Sequence, residues 1–364
     1  MRKLGISIYP ERAAVSEWID YIDLAAKCGF TRIFTCLISV EGGKDQIIKE
    51  FSVITGHARK MGMEVIADVS PVVFKSLGIG YDDLSFFHSL QLSGIRLDEG
   101  FSGMEESIMT LNPYGLKIEI NMSAGTKYLD NILSFKPNVD NLIGCHNFYP
   151  HRYTGLSREH FLKCSKQYKE QGIRTAAFIS SPTAAFGPWP VREGLCTLEE
   201  HRELPMEVQA KDLFNTELID DVIIANAFAL EEELQGLSTL DKNILTLHVE
   251  LENNLSELYS RIILDELHFN RGDVSAYMIR STQSRVKFKG CDFSLFNPKP
   301  IKRGDVLIES SLYDRYAGEL QIALRDMENS GKTNVVGRIT SSEVFLLDHI
   351  QPWQKFKLKD MNGA

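Results

Sequence analysis

His146-Asn147-Phe148-Tyr149-Pro150-His151-Arg152-Tyr153-Thr154-Gly155-Leu156-Ser157 follows an apolar run, residues 141–145, and precedes an amphipathic segment that opens at Ser157. A buried strand therefore ends in two histidines, an arginine, two tyrosines and an amide, and a helix follows. Polar side chains gathered at a strand's C-terminal end suit a site better than a core. In a (β/α)8 barrel that rim carries the chemistry.

Outward from this stretch the same β-then-α unit repeats. Strand-like runs fall at residues 4–9, 32–38, 64–70, 94–98, 117–122, 142–148, 174–180 and 221–227. Segments of helical spacing follow them at 16–28, 45–61, 103–111, 127–135, 158–171, 199–214 and 229–236, with a looser one around Leu77, Leu84, Phe87 and Leu90. Eight units in about 240 residues match a (β/α)8 TIM barrel in size and order. A proline-containing loop, 181–197, reads as a lid, and lids usually serve sites. After Asp241 the pattern changes to closely spaced strands at 245–251, 259–264, 277–280, 305–309, 320–324, 335–339 and 343–347, separated by turn residues. The expectation is a barrel domain over residues 1–240 and a small all-β domain over 241–364.

Composition excludes several classes. The chain has 364 residues, 43% hydrophobic and 24% charged, which are globular values. No apolar run approaches the roughly 20 residues of a membrane span, and the apolar part of the N-terminus is too short for a signal peptide. The six cysteines lack metal-type or disulfide-framework spacing, so reduced thiols in a cytoplasm are the simplest expectation. Net charge is −9, and no basic run is present, which argues against a nucleic-acid partner. A small anionic ligand remains compatible, because a few arginines suffice for one phosphate.

Strand alternation assigns inward-facing residues. It turns Arg96 and Asp98 inward on strand four, and Glu119 and Asn121 inward on strand five. It does the same for Ser7, Tyr9, Thr35, Asp68, Ser70, Ser180 and Asn226. Strand six is ambiguous between His146 and the pair Asn147/Tyr149. Carboxylates inside a barrel are costly without a purpose or a partner, so Asp98 and Glu119, on adjacent strands, are the candidate catalytic pair. Each residue also has a structural reading. Glu119 could be in a buried ion pair with Arg96, Asp98 or Asp68 could cap a loop, His146 could be a core histidine, and Arg152 and Tyr153 could be surface residues. Asp68, Asp98, Glu119 and His146 offer donors that suit Mg2+ or Mn2+, but no H-E-x-x-H, phosphate loop or nucleophile elbow is present. The expectation is chemistry without metal or cofactor.

Five segments resemble signatures of the bacterial 6-phospho-N-acetylmuramidase (MupG-like) family. They are residues 4–11 (LGISIYPE), 96–101 (RLDEGF), 146–150 (HNFYP), 152–156 (RYTGL) and 180–183 (SSPT). The resemblance covers essentially the whole chain. It implies a TIM barrel followed by a small cyclophilin-like β-barrel domain. It also implies a cytoplasmic enzyme that hydrolyses the β-1,4 bond of MurNAc 6-phosphate–GlcNAc in cell-wall recycling. It fixes no catalytic residue, so the assignments rest on parity.

Those assignments are Glu119 as general acid and Asp98 as nucleophile or base, or as the group that orients the substrate's N-acetyl oxygen. Tyr9, Asp68, His146, Asn147, Tyr149 and Asn226 are expected to bind sugar. Arg152, Tyr153, Ser180, Ser181, Thr183 and Arg192 are expected to bind phosphate, since barrels often do so after strands seven and eight. In the β-domain, residues 280–285 form the most ligand-like loop, and the domain is expected to pack over the rim. The alternatives are a metal-dependent isomerase or lyase on a phosphosugar, and a non-catalytic sugar-phosphate binder. The partner expected is a small-molecule phosphosugar, with neither nucleic acid nor membrane. The oligomeric state, a homodimer included, stays open.

Overall fold

The computed structural model describes all residues except 38–43, 185, 189–192 and 363–364, and the side chains of 44–50 are likewise outside the description. The chain divides into two compact units, Met1–Leu240 and Asp241–Ala364.

In the first unit, strands and helices alternate as β1 (Lys3–Ile8), α1 (Val15–Lys27), β2 (Arg32–Cys36), α2 (Lys44–Lys60), β3 (Glu64–Val69), α3 (Pro71–Leu77), α4 (Ser85–Ser89), β4 (Gly94–Leu97), α5 (Met104–Thr110), β5 (Lys117–Asn121), α6 (Tyr128–Ser134), β6 (Leu142–Cys145), α7 (Arg158–Lys169), β7 (Arg174–Ile179), α8 (Met206–Asn215), β8 (Asp221–Ile224) and α9 (Glu231–Ser238). The eight strands form a closed parallel barrel in sequence order, with β1 pairing β8. Ile6, Val65, Ile95, Ile118 and Val222 alternate outward and are buried under the helices. Two helix starts show the local code. Ser70 accepts a hydrogen bond from the Val73 N–H while Pro71 occupies the first helical position, and Ser157 accepts from His160 N–H.

The barrel interior is layered. At the N-terminal ends of the strands, Arg32 bridges Glu119 and Asp221 (2.6 Å to the latter), and Arg174 reaches Asp221 at 2.5 Å. Above them Phe34 and Phe178 meet edge to face at 5.1 Å, and Phe148 packs on Phe178 at 5.1 Å. Asp68, Arg96, Asp98 and Asn147 form the top layer.

One expected helix, 199–214, is broken. A 3-10 turn, Glu199–His201, precedes α8. Pro205 lies between them and has no N–H to donate, so the helix restarts after it.

The second unit holds β9 (Leu245–Leu251), α10 (Glu257–Leu264), β10 (His268–Phe269), β11 (Met278–Ser281), α11 (Gln283–Lys287), β12 (Asp305–Glu309), β13 (Leu320–Ala323), β14 (Thr333–Ile339) and β15 (Lys355–Asp360). Its seven strands form one sheet in the order β10-β15-β9-β14-β12-β13-β11. The sheet curls until its two edge strands meet, through Arg271 N–H to Arg280 O at 3.1 Å and His268 to Ser281 at 3.0 Å. Two expected strands are helical. Residues 259–264 belong to α10, because Tyr259, Ile262 and Ile263 are buried at helical spacing. Residues 343–347 lie largely in a 3-10 helix, Val344–His349. The expected ligand loop, 280–285, is instead a clasp: Arg280 and Arg285 both pair with the fully buried Glu319, at 2.8 and 3.1 Å.

Candidate active site

Arg96 is the centre of the top layer. Its Nη1 donates to Asp68 Oδ1 at 2.8 Å and to Asp98 Oδ1 at 3.2 Å, and its Nη2 donates to Asn147 Oδ1. The three acceptors come from the C-terminal ends of β3, β4 and β6. Burial pushes the Asp68 carboxyl up to about 6; the Arg96 guanidinium opposes that shift and the Asp98 charge adds to it. Burial also works against the charge on Arg96, yet Asp68 and Asp98 hold it firmly protonated. Asp98 is the open member of the pair, with 41% of its side chain exposed against 11% for Asp68.

Glu119 is not at the rim. Its side chain is 0% exposed, and its partner is Arg32 from below rather than Arg96. A carboxylate sealed there has no path to a substrate in this structure, so the general-acid assignment moves to another residue.

His146 resolves the strand-six ambiguity. It is wholly buried on the helix side, with Nδ1 3.1 Å from Ser123 Oγ and Nε2 2.9 Å from Ser165 Oγ of α7. Burial pushes it down to about 3, helped by the charges of His160 and Arg96, so it is a neutral core histidine and not a sugar ligand. Its work is mechanical. Ser123 Oγ also accepts the Asn147 N–H at 2.8 Å, and the Asn147 carbonyl accepts from Thr197 at 2.8 Å. Those bonds fix Asn147, which in turn fixes Arg96. Asn147 and the half-buried Tyr149 face the rim; Tyr149 N–H donates to Cys196 O at 3.1 Å, and burial raises its hydroxyl pKa. Tyr9 is fully buried and its hydroxyl donates to Ala225 O at 2.5 Å, so it braces β8 instead of facing the mouth.

On the β7–β8 side a cavity of about 710 Å3 is lined by Arg152, Ser180, Ser181, Arg202, Glu203 and Asn226, among others. Several of the expected phosphate ligands are already committed. Ser181 Oγ donates to Glu233 at 2.8 Å and Thr183 Oγ1 to the same carboxylate at 2.5 Å. A protein carboxylate therefore already accepts from both hydroxyls. Ser180 Oγ accepts the Leu195 N–H, and Asn226 exchanges two bonds with the Ser181 backbone at 2.8 and 2.7 Å. Tyr153 is 85% exposed at φ +68°, on a loop whose N–H groups at 153 and 155 are held by Glu199. Hydrogen bonds from Arg202 and from that loop hold Glu199 down to about 2. A Cβ on Gly155 would lie 2.8 Å from the Glu199 backbone nitrogen, so only glycine fits. Arg152 remains adaptable: its partners Glu203, at 2.8 Å, and Glu193 form exposed pairs that contribute little. Arg192 lies outside the described residues.

Among the described residues, no group of three or more His, Cys, Asp and Glu side chains is placed to hold a metal ion. The four donors considered above do not converge, since Glu119 and His146 turn away from Asp68 and Asp98.

The model of the 6-phospho-N-acetylmuramidase N-terminal domain matches residues 4–239, and that of the C-terminal domain matches 245–359. The chain belongs to the 6-phospho-N-acetylmuramidase family. It is accordingly a glycosidase of phosphorylated muramic sugar. Within the family's match lie Ser123, Glu199, Arg202 and Glu233, none of which parity had placed in the site, and Arg96, which it had turned inward. Glu233 could have been found from its position three residues into α9, where it also receives the Leu230 N–H.

Among solved structures the chain is similar to an uncharacterized B. cereus protein, at 50% identity and TM-score 0.92, covering 98% of this chain and 99% of that one. It shares its fold with a conserved Enterococcus faecalis protein of unknown function, at 24% identity and TM-score 0.71, covering 99% and 97%. No curated protein matches the chain.

Proposed function

We propose that this family member hydrolyses the β-1,4 bond between MurNAc 6-phosphate and GlcNAc, in the recycling of cell-wall sugars in a cytoplasm. The observation that carries the mechanism is the pair of rim carboxyls sharing one arginine nitrogen. Glycoside hydrolysis needs a carboxyl to protonate the leaving oxygen and a second group to meet the positive charge at the anomeric carbon. Asp68, pushed up to about 6, holds a proton more readily than an ordinary aspartate and is the donor. Asp98, more exposed, faces the anomeric carbon. The glycosidic C–O bond breaks as the Asp68 proton passes to the leaving oxygen and the Asp98 carboxylate bonds to the anomeric carbon. Water then attacks that carbon, giving its proton to Asp68 and its hydroxyl to the sugar as the bond to Asp98 breaks.

Asp68 Oδ1 and Asp98 Oδ1 lie no farther apart than the sum of their two distances to Nη1, 2.8 and 3.2 Å. At most about 6 Å, that separation falls below the roughly 6.5–9.5 Å of inverting enzymes and admits the roughly 5–5.5 Å of retaining ones. Retention of configuration is the proposed outcome. The 710 Å3 cavity takes the phosphorylated end, with Arg152 swinging from its exposed carboxylate partners to the phosphate. None of the six cysteines is joined in a disulfide, which suits a reducing compartment.

The test is incubation of purified protein with MurNAc 6-phosphate–GlcNAc, with the unphosphorylated disaccharide and EDTA as controls. Release of GlcNAc from the phosphorylated substrate alone, unaffected by EDTA, supports the reading. Equal cleavage of both disaccharides, or loss of activity with EDTA, contradicts it.

A further inference from the structure

A second, smaller cavity of about 250 Å3 opens beside Asp98, between the loops that follow β4 and β5. We propose that it is the seat of the sugar's 2-acylamino group, and that it accepts acyl chains longer than acetyl. This rests on the reading of the barrel rim as a muramidase site.

The lining is the argument. Asp98 and Asn121 stand at the rim side, while Phe101, Met122, Tyr128 and Tyr168 supply apolar wall. An acylamino group has the complementary order: an N–H that seeks an acceptor, a carbonyl that seeks a donor, and an alkyl end that seeks apolar surface. Asp98 supplies the acceptor. The Asn121 amide supplies the donor, since its one long bond, 3.4 Å to the Asp98 carbonyl, is easily exchanged. Asn121 Oδ1 is meanwhile fixed by the Ser123 N–H at 2.9 Å, which sets which way the amide faces.

Charge narrows the ligand further. Among the described residues Asp98 is the sole carboxylate or cation on the lining, and burial raises the hydroxyl pKa of both Tyr128 and Tyr168, leaving them neutral. A phosphate beside Asp98 would meet like charge with no counter-charge on the lining, whereas an amide meets none. Size points the same way. The cavity falls below the roughly 300–1,000 Å3 that encloses a whole small-molecule ligand, yet it exceeds what an acetyl methyl fills. The wall is also rigid. Tyr128 donates to Glu106, and a Cβ on Gly100 would fall 1.8 Å from the Tyr128 hydroxyl, so this wall stands only with glycine at 100.

The test uses 6-phosphomuramic glycosides carrying N-acetyl, N-propionyl or N-butanoyl groups, a 2-hydroxyl analogue, and the full-length protein. Wild type should handle the three acyl forms with kcat/KM within about threefold, against the roughly tenfold or more that one unaccommodated methylene costs. Ala124 is exposed on the cavity lining, so Ala124→Phe should raise the acetyl-to-butanoyl ratio roughly tenfold. Asn121→Asp keeps the acceptor for Ser123 and removes the donor, and should lower the acetyl-to-hydroxyl preference by a similar factor. Calorimetric binding of the corresponding phosphomuramic acids is judged by the same ratios and needs no turnover. Sharp rejection of N-propionyl by wild type overturns the proposal, as does an unchanged acyl ratio in Ala124→Phe. Wild type that neither binds nor cleaves any acyl form refutes the muramidase reading itself, a different failure from normal N-acetyl turnover with no acyl tolerance.

Discussion

Asp68 and Arg96 are joined by a 2.8 Å bond between two buried side chains on neighbouring strands, and Asp98 shares the same arginine nitrogen. The bond places a cation against a carboxyl whose own burial resists ionisation. The chemistry proposed for this protein depends on that balance.

The balance fixes a pH dependence. If Asp68 donates the proton, it must be protonated in the active form, so kcat/KM falls as pH rises through about 6. Arg96→Gln removes the opposing cation, raises the Asp68 pKa and moves that limb to higher pH. Folding shows the same group. A carboxyl whose folded pKa exceeds its unfolded value favours the folded state fully below about pH 4, and that favour is lost as pH rises through about 6. Asp68→Asn should therefore gain stability relative to wild type between pH 4 and 7, by up to about 3 kcal/mol. Denaturant titrations across that range measure it; a difference that does not change with pH rejects the shifted Asp68.

Glu119→Gln separates the buried ion layer from the chemistry. Breaking one partner of a buried pair typically costs about 3–5 kcal/mol, so urea denaturation should show a large loss. Turnover of the protein that remains folded should stay within a few-fold of wild type, well short of the roughly 10²–10⁴ expected for an acid–base group. A stable but inactive variant would return Glu119 to the mechanism.

His146 is predicted to act through Asn147. It stays neutral from pH 5 to 8, so it adds no limb to the rate profile. His146→Ala removes its two hydrogen bonds and loosens Ser123 and Asn147, at about 1 kcal/mol or more for each bond. The expected result is roughly tenfold lower kcat together with an upward shift of the Asp68 limb, as Arg96 loses its hold. Ser165→Ala should do the same more weakly. A fall in melting temperature with an unmoved pH profile would make the histidine merely structural.

The barrel was legible because hydrophobic period switches between 2 and 3.6 eight times before residue 241, and stop residues such as Gly29, Gly62 and Gly172 mark the switches. Parity also brought Asp68, Arg96 and Asp98 to the interior. It could not report height along the barrel axis. Glu119 is the third residue of β5, two places below Asn121, and its partner Arg32 begins a strand on another part of the ring. That pairing exists only once the barrel closes. At His146 the rule itself lapses, because β6 ends at Cys145 and the alternation of a strand no longer applies. On the phosphate side the partner of two hydroxyls was hidden for a third reason. Ser181 and Thr183 are local to one loop, but Glu233, which claims them, lies about 50 residues on in the first turn of α9.

The most direct measurement is kcat on MurNAc 6-phosphate–GlcNAc for Asp68→Asn and Asp98→Asn, each checked for folding, with the anomer of the first product read by NMR in the wild type. Losses of roughly 10²–10⁴ in both variants, with the β anomer formed first, are the predicted result. Either variant keeping more than about a tenth of wild-type kcat, a loss far below that range, or a first product of α configuration, would contradict the account.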